Sequence, residues 1–212
     1  YGHGYGSSRL EFLMMTWAAA RVGIATCGMD YPSHGLDLGG SEIEEYGELL
    51  ELSGLMPFIE HLASNRARDL DNDGRVDSGG DQWTSDSFHT RDQVRQAAVD
   101  HMQFLRALRT CGEGTMDADV DGDGEDEVAC DWDGNGVPDI GGTGVDYYLA
   151  GGSLGGIITA VTAPVEPHFT ASIPIVAGGG LMDIGTRSNL GGAVEAVMGR
   201  LTSPYILGFP GK

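Results

Sequence analysis

The segment Gly151-Gly152-Ser153-Leu154-Gly155 constrains the fold more than any other feature, because it joins two apolar runs through a serine flanked by glycines. Residues 145–150 predict a buried strand, and residues 157–161 predict a helix that follows the serine. This strand-turn-helix context is typical of a nucleophile elbow, in which glycines permit strained backbone angles and close packing. We therefore predict that Ser153 is a catalytic nucleophile. In a chain with 35 glycines, the alternative is a plain glycine-rich turn.

A serine hydroxyl is a poor nucleophile at neutral pH, so the site also needs a base and hydrogen-bond donors for the oxyanion. One predicted donor is the backbone N–H of Leu154, directly after the nucleophile. The second is the N–H of Tyr5 or Gly6, in the glycine-rich loop of residues 1–6. The sequence thus predicts an oxyanion hole made of backbone amides.

The order of elements along the chain predicts the fold class. Ser8 and Glu11 have the spacing of a capping box that opens a helix, and residues 24–29 then predict a strand. A second capping box, Thr90 with Gln93, opens a long helix before the elbow. A further strand is expected near residues 171–177. This alternation predicts an α/β fold with a mainly parallel sheet and helices on both faces.

Two details of this prediction concern side-chain placement. Apolar stripes should face the core from both capped helices, and Pro174 fits poorly in a strand because it has no N–H for the ladder. The last strand therefore needs a bulge or a shifted boundary. The stripe residues are Leu10, Leu13, Met14, Trp17 and Ala18 on the first helix, and Val94, Ala97, Ala98, His101, Met102 and Leu105 on the second.

Four segments, taken with their order, resemble the α/β-hydrolase superfamily, and within it large bacterial secreted lipases and esterases. They are residues 2–6, 30–35, 90–96 and 151–156. The resemblance implies an α/β-hydrolase fold, of which this chain would hold the N-terminal and central part. It also implies hydrolysis of a small-molecule or lipid ester by a serine esterase or lipase mechanism. Acyl chain length and oligomeric state are not predicted.

The chain departs from this family after the nucleophile. The triad acid and histidine of the family follow the serine, and after Ser153 this chain has one histidine, His168, and one aspartate, Asp183. His168 precedes a strand and is expected at the wrong end of the sheet, whereas Asp183 is a candidate acid. We expect the missing partners beyond Lys212, in a longer protein. The alternative is a non-catalytic calcium-binding surface module on a hydrolase-like scaffold.

Charge narrows the choice of partners. The chain has 12 basic and 32 acidic residues, which disfavours nucleic acid and anionic membrane surfaces, and no apolar run is long enough to span a bilayer. Eleven acids lie between Cys111 and Ile140 without any Lys or Arg. Such a stretch would repel itself unless cations neutralised it. Cys111 and Cys130 bracket it and could form a disulfide, whereas Cys27 is expected to be a buried small residue.

Three acidic loops predict structural Ca²⁺. Each places oxygen-bearing side chains at positions one, three, five and nine, with glycine at position six. A glutamate at position twelve is missing, so the loops resemble those of dockerins and thrombospondin type 3 segments rather than EF-hands. A solvated acidic loop is the alternative, and the middle loop could instead begin at Asp117. The predicted ligands are Asp69, Asp71, Asp73 and Asp77; Asp119, Asp121, Asp123 and Glu127; and Asp131, Asp133, Asn135 and Asp139.

These elements are expected to form one incomplete domain over residues 1–212 with two insertions. Residues 35–87 would hold helices near 41–52 and 57–67, either as a cap over the site or as a hairpin on the sheet, and then an acidic loop. Residues 111–142 would hold the other acidic loops. Extracellular calcium modules bind at roughly 0.1–1 mM, which favours secretion or cell-surface display in bacteria.

Overall fold

The computed structural model describes residues 1–37, 49, 51–64, 66–84, 86–189, 194, 197 and 198. A 3₁₀-helix begins the ordered elements, and five α-helices and two strands follow. Most of the helix expected near 41–52 lies outside the described residues. In chain order the elements are the 3₁₀-helix Arg9–Phe12, α1 Leu13–Ala20, α2 Met56–Ala63, α3 Ser87–Arg109, β1 Tyr147–Gly152, α4 Leu154–Thr162, β2 Phe169–Ile175 and α5 Leu181–Arg187.

The sheet is smaller than the sequence predicts. Strands β1 and β2 pair in parallel, with Leu149 opposite Ser172 and Gly151 opposite Pro174. Within the described residues this is the whole sheet, and five helices accompany it. The prediction of an α/β-hydrolase fold, with a mainly parallel sheet and helices on both faces, is therefore wrong for this structure.

The expected strand at residues 24–29 explains much of the difference. This segment belongs to no ladder in the described structure, and together with β1 it lines a cavity of about 670 Å³. Paired strands lie about 4.8 Å apart, so two strands that are hydrogen-bonded to each other leave no room for such a cavity between them. The N-terminal ammonium group of Tyr1 donates one hydrogen bond to the Cys27 carbonyl, at 2.7 Å. An apolar run of the right length was therefore not sufficient to predict a paired strand.

Pro174 fits in β2 because its backbone nitrogen faces away from β1. The Ile175 carbonyl accepts a hydrogen bond from the Ser153 N–H at 3.0 Å, so the polar groups of Ile175 face β1. Successive residues of a parallel strand bond to opposite sides, so the nitrogen of Pro174 faces the other edge of β2. Strand β2 begins and ends two residues earlier than the predicted range of 171–177. The only register irregularity in its pairing with β1 lies between Tyr147 and Tyr148.

The core forms where α3 and α4 meet under the sheet. Its main buried cluster contains Tyr31, Val94, Ala97, Leu154 and Ile158. The predicted stripe of α3 is confirmed, since five of its members are buried and Met102 is partly buried. Asp86 caps the helix by accepting the Phe88 N–H at 2.9 Å. The helix thus begins at Ser87, ahead of the predicted Thr90 cap.

The predicted inward face of α1 is wrong. Leu13, Met14 and Trp17 are 55%, 80% and 71% exposed. In the described part of the chain, no element covers them as α4 covers α3. Helical periodicity predicted that these residues share one face of α1, but it did not predict that this face is exposed. None of the described helices combines the length and apolarity needed to cross a membrane.

Candidate functional site

Ser153 occupies a sharp turn between β1 and α4. Its backbone has φ 54° and ψ −110°, a combination that residues other than glycine rarely adopt and that costs on the order of 1–3 kcal/mol. Two hydrogen bonds hold it there: the Ser153 N–H donates to the Ile175 carbonyl at 3.0 Å, and the Ile157 N–H donates to the Ser153 carbonyl at 3.1 Å. The side chain is exposed. The serine therefore has the strained backbone and the accessibility expected of an elbow nucleophile.

The glycines around Ser153 allow three backbone segments to approach one another. A side chain at Gly151 would collide with the Gly155 carbonyl, and one at Gly155 would collide with the Gly2 carbonyl. A side chain at Gly156 would lie 2.5 Å from the Ile175 carbonyl oxygen. The motif glycines are thus required by contact with β1, β2 and the N-terminal loop.

Residues 2–7 form a loop beside the nucleophile, which we call the oxyanion loop. The Gly2 N–H donates to the Ala150 carbonyl at 2.8 Å, and the Gly152 N–H donates to the Gly2 carbonyl at 3.1 Å. The Gly155 N–H donates to the His3 carbonyl at 2.9 Å. The loop is therefore attached to the chain on both sides of Ser153.

The predicted oxyanion donors lie in or next to this loop. Tyr5 and Gly6 are the central residues of a turn closed by the Ser7 N–H and the Gly4 carbonyl at 3.3 Å, and Gly6 has φ 71°, as a type II turn requires. A Cβ atom at Gly4 would lie 3.8 Å from the Cβ of Ser153. Among the described residues, no acceptor pairs with the N–H of Tyr5, Gly6 or Leu154. The hydrogen-bonding capacity of these three N–H groups is therefore not used within the described structure.

The two candidate partners after the nucleophile do not contact it. Asp183 lies on α5, is exposed, and forms a surface ion pair with Arg187 at 3.4 Å. The Nδ1 atom of His168 lies 2.7 Å from the Glu166 carboxylate, and His168 precedes β2. Because β2 is parallel to β1, His168 lies at the end of the sheet away from Ser153. In the part of the chain that the structure describes, no side chain hydrogen-bonds to the Ser153 hydroxyl.

Three buried histidines surround Tyr31 under the oxyanion loop. The Nε2 atom of His3 accepts the Tyr31 N–H at 3.1 Å, so its Nδ1 carries the proton and donates to the Gly4 carbonyl at 2.8 Å. The Tyr31 hydroxyl lies 3.1 Å from the Nε2 of His101. Burial lowers the pKa of His3, and it lowers the pKa values of His34 and His101 to about 4. These histidines are therefore neutral packing groups, as predicted for His101.

Sequence reasoning missed the contacts of Glu11. Its Oε2 accepts the Gly4 N–H at 2.9 Å, its Oε1 accepts the Tyr1 hydroxyl at 3.1 Å, and the Ser7 hydroxyl is a third donor. Burial raises the pKa of this carboxyl, but these hydrogen bonds outweigh burial and leave the pKa below its ordinary value. The Ser8 side chain makes no capping bond, so the capping-box interpretation is wrong. The spacing of Ser8 and Glu11 fits both a capping box and the observed contacts of Glu11, so no local sequence signal distinguishes these two roles.

The three acidic loops share one internal hydrogen-bond pattern. The carboxylate at position one accepts the N–H groups of positions four and six, at 2.7 and 3.1 Å in the loop that begins at Asp119. The side chain at position nine accepts the N–H of position two, as Glu127 does from Val120 at 3.2 Å. The pattern fixes the register of the middle loop at Asp119 rather than Asp117.

In each loop, one carboxylate oxygen from positions one, three and nine lies within 4.8 Å of the others. These groups are Asp69, Asp71 and Asp77; Asp119, Asp121 and Glu127; and Asp131, Asp133 and Asp139. The predicted ligands at position five, Asp73, Asp123 and Asn135, each use one side-chain oxygen to accept the N–H of position seven, at 2.9–3.0 Å. The three converging groups contain the predicted ligands of positions one, three and nine.

Cys111 and Cys130 form a disulfide that closes the stretch containing the middle loop. The Met116 N–H donates to the Glu127 carbonyl at 2.8 Å and holds the two arms together. The loop that begins at Asp131 packs against the middle loop, since a Cβ at Gly134 would lie 3.3 Å from a Glu127 carboxylate oxygen. The second and third acidic loops are therefore direct neighbours. Cys27 is half-buried and has a free thiol.

Comparisons with models of protein families, with curated proteins and with solved structures gave no significant match to the chain. Its function is therefore argued from the geometry of these residues.

Proposed function

We propose that the chain carries the nucleophile of a serine hydrolase that acts on carboxylic esters. The observation that carries this proposal is the backbone of Ser153, held at φ 54° and ψ −110° between a strand and a helix with its side chain exposed. Such strain persists only where surrounding contacts maintain it, and it is common at catalytic residues. The unpaired N–H of Leu154 directly follows the serine, and those of Tyr5 and Gly6 belong to the loop whose Gly4 lies next to Ser153. These three groups support the same chemistry.

The reaction would proceed through an acyl-enzyme. The Ser153 oxygen attacks the acyl carbon, its proton passes to a general base, and the carbonyl oxygen becomes an oxyanion. The N–H of Leu154 and the N–H of Tyr5 or Gly6 would bind that oxyanion. The leaving alcohol takes the proton from the base, and water then hydrolyses the acyl-serine. The base would come from outside the described residues, and Asp183 remains the candidate acid that orients it.

The resemblance to bacterial secreted lipases and esterases enters this proposal through the elbow and the oxyanion loop, and not through the sheet. The open surroundings of Ser153 suit a small-molecule or lipid ester.

We also propose that the three acidic loops bind structural Ca²⁺. Each loop brings three carboxylates together, and oxygen ligands of this kind suit a hard divalent cation. The sequence carries a net charge of −20, so bound cations would relieve repulsion within residues 112–139. A disulfide and low-affinity calcium loops both favour a secreted or cell-surface protein.

A non-catalytic calcium-binding surface module is the second candidate. The observation that favours it is the Ser153 hydroxyl, which has no basic side chain beside it in the part of the chain that the structure describes. In that case the turn at Ser153 would have only a structural role, and the acidic loops would carry the function. The two candidates differ in whether Ser153 reacts.

The test is ester hydrolysis by the natural protein that carries this sequence, with p-nitrophenyl butyrate and tributyrin as substrates. Ser153→Ala should lower kcat by at least about a thousandfold, because the nucleophile is removed while the fold is kept. Ser172→Ala, an exposed serine on β2, is the matched control and should retain full activity. Equal rates in the two variants, or no turnover by the unaltered protein, would rule out the hydrolase and leave the calcium module.

A further inference from the structure

The carboxylate of Glu11 lies among the residues on either side of the nucleophile. A Cβ atom at Gly4 would lie 3.5 Å from Oε2 of Glu11 and 3.8 Å from the Cβ of Ser153. A Cβ atom at Gly152 would lie 3.6 Å from Oε1 of Glu11 and 2.8 Å from the Tyr1 hydroxyl. Glu11 is thus next to the residue before Ser153 and next to the start of the turn that holds the predicted donors.

The three donors to Glu11 lie before and within the oxyanion loop. Tyr1 precedes the loop, Gly4 begins the turn, and Ser7 ends it. The central residues Tyr5 and Gly6 have no such attachment for their N–H groups among the described residues. The carboxylate therefore fixes the frame of the turn while leaving its central amides unpaired.

We propose that Glu11 is a positioning residue that holds the oxyanion loop in the geometry in which Tyr5 or Gly6 can donate to the reacting oxygen. This inference rests on the proposed hydrolase function. Glu11 acts through Gly4, Tyr1 and Ser7 and does not touch the substrate.

The charge of Glu11 explains why a carboxylate is needed. Two carboxylate oxygens together accept three donors here, whereas the amide of glutamine has one acceptor oxygen and would turn its NH₂ group toward another donor. A negative charge near a developing oxyanion would oppose the reaction if it were unpaired. Three donors stabilise this charge, and both carboxylate oxygens are directed to Gly4, Tyr1 and Ser7.

The experiment compares Glu11→Gln with Glu60→Gln in the natural protein. Glu60 is an exposed glutamate on α2 and serves as the matched control. Misplacing one oxyanion donor costs about a hundredfold or more in kcat, so Glu11→Gln should lower kcat by about 10- to 100-fold and leave KM within about twofold. The binding of an alkyl boronic acid, which forms a tetrahedral adduct with the serine, should weaken by the same factor as kcat.

Tyr1→Phe provides a second variant in case Glu11→Gln destabilises the fold. It removes one donor to Glu11 and keeps the ring, so it should lower kcat by a smaller factor with KM unchanged. If Ser153→Ala abolishes turnover while Glu11→Gln and Tyr1→Phe keep the kcat of Glu60→Gln, the positioning role is wrong and the hydrolase stands. A rise in KM with unchanged kcat would also overturn it, because that pattern indicates lost ground-state binding. If Ser153→Ala keeps full turnover, the hydrolase itself is wrong.

Discussion

At the scale of single residues, Gly155 is required because the structure leaves no room for a Cβ atom there, and not because of its backbone angles. It has no positive φ, so an alanine could adopt its backbone conformation. A methyl group there would nevertheless collide with the Gly2 carbonyl, which cannot move without breaking the attachment of the oxyanion loop to β1.

We therefore expect Gly155→Ala to lower the free energy of unfolding by about 1–3 kcal/mol, the usual cost of overpacking. Urea unfolding followed by circular dichroism measures this change. Gly144→Ala is the control, because a methyl group at Gly144 meets nothing within 4 Å and Gly144 also lacks a positive φ. The control should remain within about 0.5 kcal/mol of the unaltered chain. Equal free energies of unfolding for Gly155→Ala and Gly144→Ala would show that the oxyanion loop does not pack closely against α4 as described.

At the scale of elements, local patterns predicted the pieces, and contacts distant in sequence decided their arrangement. The strand-turn-helix order around Ser153 and the buried stripe of α3 follow from local sequence patterns, so these patterns were sufficient to predict them. The start of α3 was misplaced because Thr90 and Gln93, which match a capping box, instead bond to the carbonyls of Gln82 and Asp81. The role of Glu11 and the unpaired segment 24–29 likewise depend on partners that no spacing reveals.

The buried histidines connect three elements and should make their packing sensitive to acid. His3 lies on the oxyanion loop, His34 on the segment after residue 30, and His101 on α3. The folded pKa values of His34 and His101, about 4, lie below the ordinary value of about 6.5. The unfolded chain therefore binds more protons between these limits. The stability that neutral His34 and His101 contribute is fully present above pH of about 6.5, decreases below that value, and is lost once the pH has fallen through about 4.

Urea unfolding at pH 7.5, 6.0 and 5.0, with EGTA present throughout, should show little change above pH of about 6.5 and, below it, a loss that approaches about 1.4 kcal/mol per pH unit for each of His34 and His101. His34→Asn removes one titrating ring and should make this dependence shallower. His61→Asn, at an exposed histidine, should leave the slope unchanged. A slope that His34→Asn leaves as steep as in the unaltered chain would contradict the assignment.

At the scale of the whole molecule, the net charge of −20 opposes compaction through self-repulsion. The three acidic loops hold 13 of the 32 acidic residues, and two of these loops are in direct contact. A divalent cation would therefore stabilise the fold more than simple screening by salt.

With Kd values of roughly 0.1–1 mM, 5 mM CaCl₂ should stabilise the chain by about 1–2 kcal/mol per site and raise Tm by several degrees. Differential scanning calorimetry measures this shift, with 5 mM MgCl₂ as the control for ionic strength. Asp131→Asn should reduce the shift, whereas Glu113→Gln should not, because Glu113 lies in the same acidic stretch outside the three carboxylate groups. An unchanged Tm with CaCl₂ and with EGTA would contradict calcium binding.

The position of Pro174 has a consequence for association between molecules. A strand with an open edge is a template on which another chain can form a ladder, and aggregation begins at such edges. In the described structure β2 has β1 on one side only, and its side chains are largely exposed. The nitrogen of Pro174 faces the open side and has no hydrogen to donate, so an incoming strand would find a gap in the middle of its ladder. Pro174 thus protects the folded chain against self-association at its most exposed strand.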